Sequence, residues 1–192
     1  MGQIKNGTTL QKVWYNYFEK IVQLKGKNMR KSLVALMAII VVLSITLTAC
    51  KSESGQNIVS KALGIDVSSG NEVSSYDTHS GNGDGTSCIA LSFNDDTVLE
   101  KIKNNTEWSA FPLDETVQTL VYGVETETTK DGPFLTDENG KSLVPEIQNG
   151  YYCLIDRHSD TKAEILERNS FNFTLGLYDT DTNTLYFCEL DT

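Results

Sequence analysis

His79 and His158 are the only two histidines of the 192-residue chain, and each stands among carboxylates: Asp77 and Asp84 near the first, Asp156 and Asp160 near the second. Imidazole beside carboxylate is the pairing that serves general acid–base chemistry near neutral pH, and the same groups ligate metals. If the two loops converge, His79, Asp84, Asp156 and His158 would form the machinery of a small hydrolase or metal-dependent enzyme. Nothing in their spacing requires it, and solvated loop histidines are the ordinary alternative. Asp179, Asp181 and Asn183 alternate as the oxygen ligands of a calcium loop do, but Thr184 stands where the loop needs Gly and Leu190 where a bidentate Glu belongs. They read as a polar hairpin turn, with a weak calcium site of another type as the alternative. The run Ser80-Gly-Asn-Gly-Asp-Gly-Thr86 lacks the Lys-Ser/Thr ending of a phosphate loop and precedes an expected strand instead of a helix. Neither Gly-x-Ser-x-Gly nor His-Glu-x-x-His is present, and no cofactor is implied.

Cys88, Cys153 and Cys188 all have apolar neighbours, as in Tyr151-Tyr-Cys-Leu-Ile155, and no Cys-x-x-Cys occurs. Their odd number leaves at least one unpaired. They read as buried small hydrophobes with raised pKa, or with Cys153 and Cys188 joined as a cross-strand disulfide. The aromatic residues Trp108, Phe111, Tyr122, Tyr151 and Tyr152 could line a ligand cleft or belong to core and rim.

The elements that must position these groups follow from periodicity. Phe171, Phe173, Leu175 and Leu177 alternate with polar or small residues, Asp179 to Asn183 interrupt, and Leu185 and Phe187 resume, which is a C-terminal β-hairpin. Ile89–Phe93 and Tyr151–Ile155 read as further strands, the second entered through Asn149-Gly150. Asn94 or Asp95 can cap a helix with Val98, Leu99 and Ile102 on one face. Asp114 can open another, with Val117, Leu120, Val121 and Val124 together. Asp137 to Gly140 marks a turn, and Ile58, Val59, Ala62 and Leu63 suggest a brief helix. These alternations predict an α+β fold, a single small domain on a mainly antiparallel sheet, in preference to parallel βαβ units.

The charges divide the chain. Overall, 16 Lys and Arg face 26 Asp and Glu, but residues 1–50 carry seven bases and one acid, whereas residues 51–192 carry nine bases and 25 acids, a balance of −16. That acid excess excludes a nucleic-acid binder, which needs a basic stripe. The basic part also holds the only long apolar run, Leu33 to Leu47, one residue after Arg30-Lys31. Positive end and apolar run are those of a signal peptide, and the run ends in Leu47-Thr48-Ala49-Cys50.

That ending resembles the lipobox of bacterial lipoproteins. The resemblance implies cleavage between Ala49 and Cys50, a diacylglycerol on the Cys50 thiol, and a cell-membrane location, lipid-anchored on the extracytoplasmic face. Two acyl chains meet the two-signal requirement for stable anchoring; an uncleaved transmembrane helix is the alternative, since about 20 apolar residues span a bilayer. The expected layout is a basic extension over 1–28, a signal peptide over 29–49, a lipidated tether over 50–55 and a globular domain over 56–192. A start at Met29 gives a signal of ordinary length and makes 1–28 a start-site artefact. Against that, Leu10, Val13, Trp14, Tyr17, Phe18 and Ile21 share one face of a basic amphipathic helix. The segments His79 to Thr86 and Phe171 to Cys188 are similar to small uncharacterised lipoproteins of Gram-positive bacteria, a resemblance that implies location and carries no catalytic residue with it. The expectation is thus a binding or interaction module in the cell envelope, its partner an envelope protein or small ligand. The alternatives are the small enzyme above and, more remotely, a transporter's solute binder, for which about 140 residues is short.

Overall fold

In a computed structural model, which describes residues 53–159 and 162–192, the strongest sequence alternation becomes the centre of a sheet. The expected lipidation at Cys50, the signal peptide and the N-terminal extension lie outside the described residues, as does Asp160. The elements in order are α1 (Gly55–Leu63), β1 (Asn71–Asp77), β2 (Gly85–Ser92), α2 (Thr97–Lys103), β3 (Ser109–Ala110), α3 (Glu115–Tyr122), β4 (Val124–Glu125), β5 (Lys130–Asp131), β6 (Gly150–Asp156), a 3-10 turn (Ile165–Glu167), β7 (Asn172–Asp179) and β8 (Thr184–Asp191). Six strands form one sheet in the order β1-β2-β8-β7-β6-β3, every neighbour antiparallel, while β4 and β5 make a separate two-stranded ribbon. The α+β expectation with its C-terminal hairpin, β7–β8, is the fold observed.

Both faces of this sheet are covered. One core cluster joins Val59 and Leu63 of α1, and Val98 and Ile102 of α2, to Ile89, Leu91, Leu185 and Phe187. A second joins Val117, Leu120 and Val121 of α3, with Leu135 and Val144, to Phe173, Leu175 and Leu190. Strands β7 and β8 are therefore buried on both sides, and the small residues between their large ones are packed too. A Cβ on Gly176 would come within 2.7 Å of the Trp108 ring and 3.1 Å of Leu63. The absent side chain is what lets helix and indole reach the sheet.

The helices have seven to nine residues, well below the roughly 12–15 at which isolated helices become marginal in water, so packing must hold them. In α3, Val117, Leu120 and Val121 are fully buried, each contributing about 1.5–3 kcal/mol. The Asp114 carboxylate adds a cap by accepting from the Val117 N–H at 2.8 Å, a contribution of about 1 kcal/mol. Two local expectations shift. Residue Asp96 occupies the N-cap position of α2, although Asp95 still accepts from the Thr97 N–H at 2.9 Å. And α3 stops at Gly123, whose φ of 74° leaves the helix, so Val124 lies exposed on β4 instead of on the buried helix face. Among the described residues, no helix is long and apolar enough to cross a membrane.

Candidate functional site

Antiparallel pairing brings the end of β1, the start of β2, the end of β8, the start of β7 and the end of β6 to the same edge of the sheet. Polar side chains gather there. The His79 Nδ1 lies 2.8 Å from Asp77 Oδ1, which also accepts from the His79 backbone N–H at 2.9 Å. On the far side of the ring, Nε2 is 3.2 Å from Asp191 Oδ2. That same oxygen accepts from Arg157 Nη2 at 3.0 Å, and Arg157 also donates to the Phe173 carbonyl at 3.0 Å and lies 3.7 Å from Glu189. Glu189 in turn accepts from the Thr174 hydroxyl at 2.9 Å. Burial works against a charged His79, but the hydrogen bonds and charges of Asp77 and Asp191 outweigh it and raise its pKa above the ordinary 6.5. The His79 backbone and side-chain hydrogen bonds hold Asp77 below the usual carboxylate range.

The two expected loops therefore meet through His79, Asp191 and Arg157, while Asp84, Asp156 and His158 take no part in that contact. Asp84 faces its own loop, accepting from Asn82 Nδ2 at 3.0 Å. His158 has its Nε2 3.1 Å from Ser170 Oγ, and its backbone N–H donates to Asp156 at 3.0 Å. Asp156 is held by a two-pronged Arg168 contact at 2.9 and 2.8 Å, which depresses its pKa. The alternation Glu189-Leu190-Asp191 is the sequence signal that locates the missed residues: two acids on one face at the end of an otherwise apolar strand call for cationic or hydroxyl partners.

Beside this cluster a concavity of about 360 Å³ has Ile89 and Phe187 in its floor and Ile58 of α1 in its wall, with Asp77, His79 and Glu189 at its rim. Two adjoining hollows of about 420 and 630 Å³ share Phe111, Pro112 and Gln148. Tyr122 borders the first and Tyr151 the second. So of the aromatic candidates, Phe111, Tyr122 and Tyr151 line a groove, whereas Trp108 is core, 7 % exposed, and Tyr152 packs edge-on against Phe111 while donating to Asp114.

Asp179 is buried in the β7–β8 turn, its two oxygens accepting from the Asp181 N–H at 2.9 Å and the Thr182 hydroxyl at 2.7 Å. Asp181 accepts from Asn149 at 3.0 Å, and Asn183 adopts φ 50°. These oxygens fold the hairpin. Among the described residues no group of three or more His, Cys, Asp or Glu side chains is placed to hold a metal.

The cysteine pairing differs from the one expected. Cys188 is bonded to Cys88, directly opposite it in the β2–β8 register, and Cys153 is free and buried. The reason is strand order: β7 lies between β6 and β8, so Cys153 faces Gly176 and Cys188 faces Leu175. Cys153 and Cys188 also belong to the core clusters on opposite faces of the sheet.

No family model, curated protein or solved structure matches this chain.

Proposed function

We propose that the chain is a lipoprotein, held by diacylglycerol on Cys50 at the extracytoplasmic face of the cell membrane, whose folded domain works there as a binding module. The observation that carries the location is the bond between buried Cys88 and Cys188: disulfides in central strands persist in oxidising surroundings and are rare in a reducing cytosol. The Leu47-Thr48-Ala49-Cys50 ending supplies the anchor. For binding, the support is the open groove around Phe111, Pro112 and Gln148, where aromatic surface and side-chain amides are offered together. The enzyme alternative has thinner support, because both ring nitrogens of His79 face carboxylates and Asp156 is engaged by Arg168. A base needs a free lone pair. Metabolic palmitate labelling tests the anchor: the label is expected on the native chain and absent from Cys50→Ala, and equal labelling of both would overturn the reading.

A further inference from the structure

We propose that His79 is a proton-operated latch that holds the β1–β2 loop, residues 78–84, across the start of β2 and ties it to the end of β8. The argument is one of donors and acceptors. Asp77 Oδ1 and Asp191 Oδ2 face the two ring nitrogens at 2.8 and 3.2 Å, and ionised carboxylates can only accept. Both contacts are satisfied only by a ring carrying two N–H groups. A neutral ring has one, and its other nitrogen turns a lone pair toward a carboxylate.

Which contact is then lost follows from the surroundings. Asp77 is two residues away, lies closer, and is also fixed by the His79 backbone N–H. Asp191 already has Arg157 as a cationic partner on the same oxygen. The neutral ring keeps its proton toward Asp77 and releases Asp191. The charged groups around the ring are Asp77 on β1 and Asp191 and Glu189 on β8, with Arg157 after β6 behind Asp191; Asp84, in the same loop, is turned to Asn82. The two carboxylates in contact favour the imidazolium and outweigh the opposing guanidinium, which shares Asp191.

The released contact matters because it is the cross-element one. Among the described residues, the other hydrogen bonds of residues 78–84 close within the hairpin, as in Thr78 N–H to Thr86 O at 3.0 Å and Ser80 N–H to Asp84 O at 3.1 Å. Gly85 lets the loop fold down: a Cβ there would come within 2.5 Å of the His79 backbone. With Asp191 released, only these local hydrogen bonds hold the loop at the rim of the 360 Å³ concavity, and without the tie to β8 they open more often. The device is independent of the lipid anchor; only its exposure to the external pH rests on the extracytoplasmic reading.

Hydrogen exchange of the full-length protein in detergent, corrected for intrinsic rates, tests the latch at about pH 5.5 and about pH 9, on either side of the histidine range. Residues 78–86 of the native protein are expected to exchange several-fold faster at the higher pH, with β7 unchanged. His79→Gln should exchange fast at both values and His79→Arg, permanently charged, slowly at both. Ring nitrogen shifts of native His79 should show two N–H groups at the lower pH. Equal corrected protection of the native loop at both values, a His79→Gln profile that follows the native one, or a singly protonated ring at the lower pH would each overturn the proposal. None of these readouts involves the lipid, so loss of the palmitate result leaves them intact.

Discussion

Cys153 is 3 % exposed, and burial pushes its thiol up to about 11, so almost no thiolate exists at neutral pH. Since the thiolate is the nucleophile, iodoacetamide is expected to leave the native protein unmodified and to add one carbamidomethyl group within residues 51–192 once the chain is unfolded without reductant. Two or more additions there would contradict the Cys88–Cys188 bond. Gly176 is a sharper point of packing. Gly176→Ala forces a methyl group against Trp108 and Leu63, and overpacking of this kind costs about 1–3 kcal/mol; a urea midpoint unchanged from the native protein would refute the close approach. Burial of the cysteines was legible in their apolar neighbours, but their partners were not. A pairing needs strand order, and apolar residues follow Cys88 as they follow Cys153. The same holds at the site: His79 was visible by type, whereas Asp191 lies 112 residues away in sequence and reaches it only through the β1-β2-β8 order.

At the scale of elements, the strands with one strong pattern were readable and the marginal ones were not. The alternation of Phe173, Leu175 and Leu177 marks β7 unmistakably. In contrast β1, Asn71–Asp77, is an edge strand exposed at six of its seven positions. No burial imposes a period on its side chains, and it looks like a loop. β3, β4 and β5 have two residues each, too few to carry any period. The connection after β6 is fixed by charge instead: Arg168, 9 % exposed, holds Asp156 at the end of the strand. This pair gives a pH dependence of definite sign. The depressed pKa of Asp156 means its contribution is complete above the unfolded value of about 3.9 and is lost as pH falls through the folded value. Asp156→Asn should therefore show a shallower fall in thermal midpoint below about pH 4 than the native protein. An identical acid limb in the two proteins would refute the role of the pair.

For the molecule as a whole, the compact unit Glu53–Thr192 carries its own two-sided core, and its charge decides how it can meet a membrane. Residues 51–192 hold 25 acids against nine bases. Each Lys or Arg near an anionic surface gains about 1 kcal/mol, and excess acids lose in the same way. No basic patch of useful size can be assembled from nine bases when Lys61, Lys101, Lys103, Arg157 and Arg168 already pair with carboxylates. The domain should thus have no membrane affinity of its own, and all retention should come from lipid on Cys50. Cosedimentation of a fragment covering residues 51–192 with phosphatidylglycerol vesicles is expected to leave it in the supernatant at low salt, where repulsion is least screened, and equally so with phosphatidylcholine vesicles. Binding to the anionic vesicles that weakens with salt would mean that a basic surface exists despite the net charge. Binding to both kinds would point to apolar insertion, with exposed Val73 at the β1 bulge and Val124 on β4 as the side chains to substitute first. If neither vesicle retains the fragment, the proposed lipid on Cys50 is the membrane contact left to the domain, and the chain from Cys50 to Glu53, at most about 11 Å fully extended, would keep the start of α1 close to the bilayer.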